Sequence, residues 1–309
     1  MNSEIVRVPK LVIVGSMNLD ISVQVPEIPQ PGETVLGFNL EQSPGGKGSN
    51  QAAAASLSGA QTHLVAVVGE DEFGSQLIAK AQGIGIDTQF VTRTPWKKTG
   101  TALINVDSKG ENSIVVASGA NLELSSELVK TSFEALGEFE LVLVVLEIQL
   151  SAARSALETA KKMGSKTVLN LSPYNSEAKS LVVFADFLIV NEHEFKQLVG
   201  VDLSQIQDAH TRLQEMGAKQ VIVTLGSEGA VLVVVGDLSL ELVRFPTKKV
   251  EVIDTTGCGD AFAGAFSCEI ASGKSAEDSI QFALKAASFA ATRFGAQVSY
   301  GSRSEVLSH

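Results

Sequence analysis

Residues 250–264 read VEVIDTTGCGDAFAG. A β-type run (Val250, Val252, Ile253) passes through a Gly-X-Gly turn into an apolar helix with one carboxylate, Asp260, in its first turn. The first N–H groups of a helix lack intrahelical acceptors and lie at the positive end of its dipole. Those of Gly257, Cys258 and Gly259 would converge on an anion, with Asp260 beside it as a base. Read alone, the stretch is also satisfied by a capped helix with Asp254, Thr255 or Thr256 as N-cap. The glycine spacing is G-x-G-x-x-x-x-G, and no G-x-x-x-x-G-K-[ST] occurs in the chain. Neither a dinucleotide fingerprint nor a P-loop is therefore present.

The same strand-to-helix pattern opens the chain. LVIVGSMNLD (11–20) is a buried-type strand ending at Gly15, followed by Asn18 and Asp20, which an extended segment points to one side. PGGKGSNQAAAA (44–55) is a second glycine-rich helix start, in which Lys47 and Asn50 sit three apart and share a face. Each polar group alone also reads as a loop residue or a cap. Together, two amides, a carboxylate and an ammonium suit a small ligand covered with hydroxyl groups.

Further strands are expected at 10–15, 63–68, 140–146, 166–170, 187–190 and 219–224. Helices are expected at 48–58, 73–83, 151–163, 192–199, 204–216, 257–272 and 276–292. Alternation of this kind predicts an α/β fold, a three-layer, doubly wound and mostly parallel sheet, over a single domain spanning 1–309. The stretches 229–235 and 239–245 read as a hairpin joined near Gly236-Asp237. Two further pairs leave the rhythm: 21–29 with 33–40 around Pro31-Gly32, and 101–107 with 111–117 around Lys109-Gly110. They predict a small β-sheet lid built from segments at about 20–42 and 99–118. The Ser-rich stretch 299–308 reads as a plain terminus, and Trp96 as a loop residue.

Bulk properties exclude more than they identify. With 44% hydrophobic residues among 309, the chain can build one large domain. Its 35 acidic against 24 basic residues, a net charge of −11, leave no basic stripe for nucleic acid. Apolar runs such as 141–146 stop well short of the roughly 20 residues that span a bilayer. Cys258 and Cys268 are the only cysteines, and they fit a reducing, cytoplasmic setting rather than a disulfide framework. His63, His193, His210 and His309 show no metal-ligand spacing.

GGKGSNQA (45–52), NLD (18–20), NEHE (191–194), TLGSEG (224–229) and DTTGCGD (254–260) resemble, in order and across nearly the whole chain, the signatures of the ribokinase family of sugar kinases. The first and last are highly specific in combination. The resemblance implies ATP-dependent phosphorylation of D-ribose at O5, with Asp260 as general base and Gly257, Cys258 and Gly259 as anion hole; Cys258 stands for the usual Ala. For the sugar it implies Asn18, Asp20, Gly46, Lys47, Gly48, Asn50 and Glu147. For the nucleotide it implies Asn191, Thr224, Gly226, Ser227 and Gly229, with Glu194 organising Mg²⁺ through water. A K⁺ site is implied at Asp254, Thr256, Ala290, Arg293, Gly295 and Ser299, and a homodimer through the lid. Leu284 falls where ribokinases often place Asn or His beside the adenine, which leaves base recognition looser or purely apolar.

Two alternatives stay open from the sequence: a related kinase for deoxyribose, a nucleoside or another sugar, and a non-catalytic sugar-binding regulator. Cys258, at a helix N-terminus, is expected to favour the thiolate and to react ahead of Cys268, which lies in an apolar helix.

Overall fold

The computed structural model of the chain describes residues 8–109 and 111–309. The first seven residues of the expected domain, and Gly110 of the expected Lys109-Gly110 turn, lie outside the described residues. The first strand, β1 (Lys10–Val14), shows why the sheet is buried on both faces. Its apolar run sends Val12 and Val14 into one core, and Leu11 and Ile13 into another.

The chain continues through β2 (Asn18–Gln24), β3 (Phe38–Gly45), α1 (Lys47–Leu57), β4 (Gln61–Gly69), α2 (Glu72–Gly83) and β5 (Val91–Thr94). Next come β6 (Gly100–Val106), β7 (Asn112–Ala117), α3 (Ser126–Leu136), β8 (Leu141–Val144), α4 (Leu150–Lys162) and β9 (Lys166–Asn170). Then follow β10 (Phe187–Asn191), α5 (Glu192–Val199), α6 (His210–Glu215), β11 (Gln220–Thr224), β12 (Ala230–Val235) and β13 (Leu240–Phe245). Helices α7 (Cys258–Ala271), α8 (Ala276–Ala291) and α9 (Arg303–Ser308) close the chain.

Nine strands form one sheet in the order β13-β12-β11-β10-β9-β8-β1-β4-β5, parallel except that β12 runs antiparallel to both β11 and β13. Helices α3 to α6 pack on one face through Val129, Phe133, Leu157, Phe195 and Leu213. Helices α1, α2, α7 and α8 cover the other through Ala52, Leu77, Phe262, Phe266 and Ile280. From β1 the chain builds the sheet first towards β4 and β5, then returns to lay β8 on the other side. Such a reversal opens a crevice at the carboxyl ends of the strands.

The smaller sheet, in the order β3-β2-β6-β7, pairs β2 parallel to β6 and is otherwise antiparallel. Its second strand is not 33–40 but β3, shifted towards the glycines. Pro26, Pro29 and Pro31 lack N–H groups, so residues 26–37 connect rather than pair. The other hairpin forms where expected, closed by the Asp107 carboxylate, which accepts from Lys109 N and Glu111 N.

Three further expectations are corrected. Residues 250–253 form no strand; they run along α8, with Ile253 N donating to Ala291 O at 2.8 Å. The helix expected over 204–216 breaks at Gln205 into a 3-10 stretch followed by α6. The C-terminal segment is not a plain terminus: a Ser302/Glu305 capping box starts α9, and Val306 is buried. Strand β5 and helix α3 are additional elements that complete one sheet edge and one core.

Candidate active site

Two helix starts build the site. A Cβ on Gly48 would lie 2.5 Å from Ser16 N, so only glycine lets α1 begin against the end of β1. That approach brings Lys47 N within 3.0 Å of Glu147 Oε2, the oxygen to which Ser16 Oγ donates at 2.5 Å. The α1 residues Asn50 and Gln51 then face α7. Asn50 Nδ2 donates to Asp260 Oδ2 at 2.9 Å, and Gln51 Nε2 to Oδ1 at 2.8 Å. Asp260 is 7% exposed, and both its oxygens are held by buried side-chain amides.

Helix α7 is capped by none of Asp254, Thr255 or Thr256. Gly257 is the N-cap at φ 75°, a left-handed conformation that glycine adopts without strain, and Tyr300 Oη donates to its carbonyl at 2.9 Å. Cys258 N donates to Thr255 O at 3.2 Å. Among the described residues, the N–H groups of Gly257, Gly259 and Asp260 at this helix start have no acceptor.

Strand ends supply the rest. A cavity of about 140 Å³ is lined by Lys47, Asn170, Ser172, Asn191, Glu194, Thr224, Gly257, Gly259 and Asp260, among others. All lie at carboxyl ends of strands or at the starts of helices. Asn191 and Glu194 form a reciprocal capping box at the start of α5, with Asn191 Oδ1 accepting from Glu194 N and Glu194 Oε2 accepting from Asn191 N. Thr224 ends β11, and the exposed Gly226 and Ser227 and the buried Gly229 follow it in a turn at the same edge.

Charge is concentrated here. Burial opposes the Lys47 ammonium, yet the carboxylates of Asp260, Glu147 and Glu194 outweigh it and hold its pKa above the ordinary value. Asp20 is pushed up to about 7, first by burial and then by the charges of Glu147 and Asp260. Asn18, two residues earlier on the same side of β2, accepts from Asn121 Nδ2 at 2.7 Å. Asp20, Lys47 and Asn50 thus all interact with Asp260, while Asn18 pairs with Asn121.

The positions expected to hold K⁺ adjoin it. Asp254 accepts from Thr256 N at 2.9 Å and from Gly295 N at 2.8 Å, while the fully buried Ser299 donates to Ala296 O. Ala290 O accepts from Arg293 N, and the Arg293 guanidinium lies 3.6 Å from the centre of the Phe289 ring. Leu284 is 7% exposed, packed into the core.

The expected thiolate at Cys258 is overturned. Burial first, then the charges of Asp254 and Asp260, push its thiol up to about 11. Burial, the larger cause, and the two nearby carboxylates both disfavour the thiolate at this helix start. Sequence reading also missed Gln51, Gln297, Ser16, Asn121, Asn170, Ser172 and Tyr300. Gln51 and Ser16 lay within quoted stretches, GGKGSNQA and LVIVGSMNLD; the others carry common polar side chains in segments without a local signature.

Residues 8–302 match the family model described as pfkB family carbohydrate kinase. This chain belongs to that family. The kinase is 35% identical to the ribokinase of Haemophilus influenzae over 300 residues, covering 96% of this chain and 97% of that one. It is 33% identical to a deoxyribokinase of Salmonella typhi, covering 94% and 95% of the two chains. Its fold superposes on the structure of Arabidopsis thaliana ribokinase complexed with ribose and ATP with a TM-score of 0.87, at 33% identity over 98% of both chains. The kinase is therefore an enzyme, a ribokinase-type carbohydrate kinase. No helix among its described residues is long and apolar enough to cross a membrane.

Proposed function

We propose that this kinase transfers the γ-phosphoryl group of ATP to O5 of D-ribose, giving D-ribose 5-phosphate and ADP. The observation that carries the reading is the placement of Asp260: its carboxylate lines one cavity with Lys47, Glu194 and the free N–H groups of Gly257 and Gly259. In this reading the 5-hydroxyl oxygen attacks the γ-phosphorus, its proton passes to Asp260, and the bond to the ADP oxygen breaks. Each Asp260 oxygen already accepts one amide N–H and keeps a lone pair for the hydroxyl. The N–H groups of Gly257 and Gly259 and the ammonium of Lys47 supply positive potential to the transferring group.

Asn18, Asp20, Gly46, Gly48, Asn50 and Glu147 form the sugar side, where carboxylates and amides match a ring of hydroxyl groups. Asn191, Thr224, Gly226, Ser227 and Gly229 form the nucleotide side, at the ends of β10 and β11. Magnesium, when bound with ATP, neutralises phosphate charge, and Glu194 is the carboxylate in the cavity that fits it through water. For K⁺, Asp254 offers a carboxylate with unused lone pairs beside backbone carbonyls, a donor set suited to a hard cation; Thr256, Ala290, Arg293, Gly295 and Ser299 frame it.

The smaller sheet serves as a lid and as a homodimer surface, since Phe38, Leu40, Leu103, Ile114 and Val115 on it are exposed. The free cysteines Cys258 and Cys268 fit a cytoplasmic enzyme.

A second reading, phosphorylation of 2-deoxy-D-ribose, is supported by the 33% identity to a deoxyribokinase. An ADP-release assay with D-ribose, 2-deoxy-D-ribose, nucleosides and no sugar separates the two. The highest kcat/KM on ribose supports the proposal, and the highest on deoxyribose replaces it with the second reading. ADP release with none of them, at saturating Mg²⁺ and K⁺, overturns both.

A further inference from the structure

Behind the carboxylate of Asp260 lies a chain of side-chain amides that no motif marks. Gln297, in the turn before α9, donates from Nε2 to Asn50 Oδ1 at 3.0 Å and to Ser49 Oγ at 2.9 Å. Asn50 in turn donates from Nδ2 to Asp260. Gln297, Ser49 and Asn50 are all buried. The order of donors is dictated from one end. An ionised carboxylate only accepts, so Asn50 must present Nδ2 to it. Oδ1 of Asn50 then points the other way and requires a donor, which only the Nε2 side of Gln297 supplies. The price of this polarity is visible: Gln51 Oε1 and Gln297 Oε1 are buried acceptors without a partner among the described residues.

We infer that Gln297 is a positioning residue for the phosphoryl-transfer base: it fixes the Asn50 amide so that a donor, rather than an acceptor, meets Asp260. With Gln297 absent, Oδ1 of the buried Asn50 loses its donor, and the amide is held from the Asp260 side alone. The segment around Gln297 reaches the anion-binding helix start as well. Gly295 N donates to Asp254, and Tyr300 Oη donates to Gly257 O. One short stretch, 295–300, thus braces the base and the N-cap of α7 together. The inference rests on Asp260 being the general base.

The test is Gln297→Met, similar in length and without a donor, measured alone and with Asn50→Ala. The expected result is a kcat about 10-fold lower with the KM for ATP within about twofold of wild type, because Gln297 acts through Asn50 and not on the nucleotide. The same substitution in an Asn50→Ala background should cost less than about twofold, since the contact it removes is already gone. Gln297→Asn, an amide one methylene short of Asn50, carries the same expectations should Gln297→Met not fold. Unchanged kcat, or a loss that adds in full to that of Asn50→Ala, overturns the positioning role. If Asp260→Asn itself keeps wild-type turnover, the reading of the base fails, and the positioning role falls with it. An inactive Asp260→Asn beside a fully active Gln297→Met sinks the positioning role alone.

Discussion

Asn50 Nδ2 donates to Asp260 Oδ2 across 2.9 Å, although 210 residues separate them in the chain. The contact joins the starts of α1 and α7, the two glycine-rich helix starts. The proposed sugar contact and the proposed base thereby share one buried hydrogen-bonded assembly. Small residues make the assembly possible: a Cβ on Gly264, one turn beyond Asp260, would lie 2.4 Å from Gln51 O.

Replacing the base keeps its shape and removes its proton affinity. Asp260→Asn should lower kcat by a factor on the order of 10²–10⁴ while ribose and ATP still bind. Steady-state kinetics with calorimetric binding measures both, and a variant with near-normal turnover removes Asp260 from the mechanism.

Asp20 should make stability depend on pH. Its pKa, pushed up to about 7, lies above the ordinary value of 3.8. Between those values the folded chain holds the extra proton, so this group's contribution to stability falls as pH rises through that window and the cost is complete above it. Asp20→Asn removes that cost. It should raise the thermal midpoint more at about pH 8 than at about pH 4.5 and, by losing a hydroxyl acceptor, raise the KM for the sugar at least about 10-fold. Equal midpoint shifts at the two pH values would contradict the burial of an ionised Asp20.

Cys258 should be a slow thiol. With its pKa pushed up to about 11 and that of Cys268 to about 12, both should alkylate more slowly at neutral pH than an unhindered cysteine. Cys258, the half-buried one, should still be labelled first, and ATP with Mg²⁺ should protect it. Peptide mapping by mass spectrometry decides. Labelling of Cys268 first, or equal labelling of Cys258 with and without nucleotide, places the phosphate site elsewhere.

Potassium should activate. At fixed Mg²⁺ and constant ionic strength, exchanging Na⁺ for K⁺ should raise the rate, and Asp254→Ala should abolish the increase. A flat response across the titration counts against a cation beside Asp254.

Much of the fold was legible because its signals are local. The run Leu11 to Val14 is apolar at every position, which only a strand buried on both faces requires. Other elements were hidden where tertiary contacts overrode local preference. The run Val250, Val252, Ile253 has β-type residues but no neighbouring strand, and Val252 and Ile253 are exposed. Strand β3 moved towards Gly45 because three prolines emptied the segment before it. In the site, Gln51 and Gln297 were illegible for the same reason: a glutamine acquires a role only from what it faces, and Gln297 faces residues some 250 positions away.

The sequence by itself determined the alternation of buried strands and amphipathic helices, the two glycine-rich helix starts and the identity of the lone carboxylate beside one of them. These follow from side-chain periodicity and backbone freedom, which act over a few residues. Only the tertiary structure decided which N–H groups at α7 remain free, which amides hold Asp260, and that Cys258 is a suppressed thiol rather than an activated one. Hydrogen-bond partners and the electric field at an atom are set by groups close in space, and here those groups come from opposite ends of the chain.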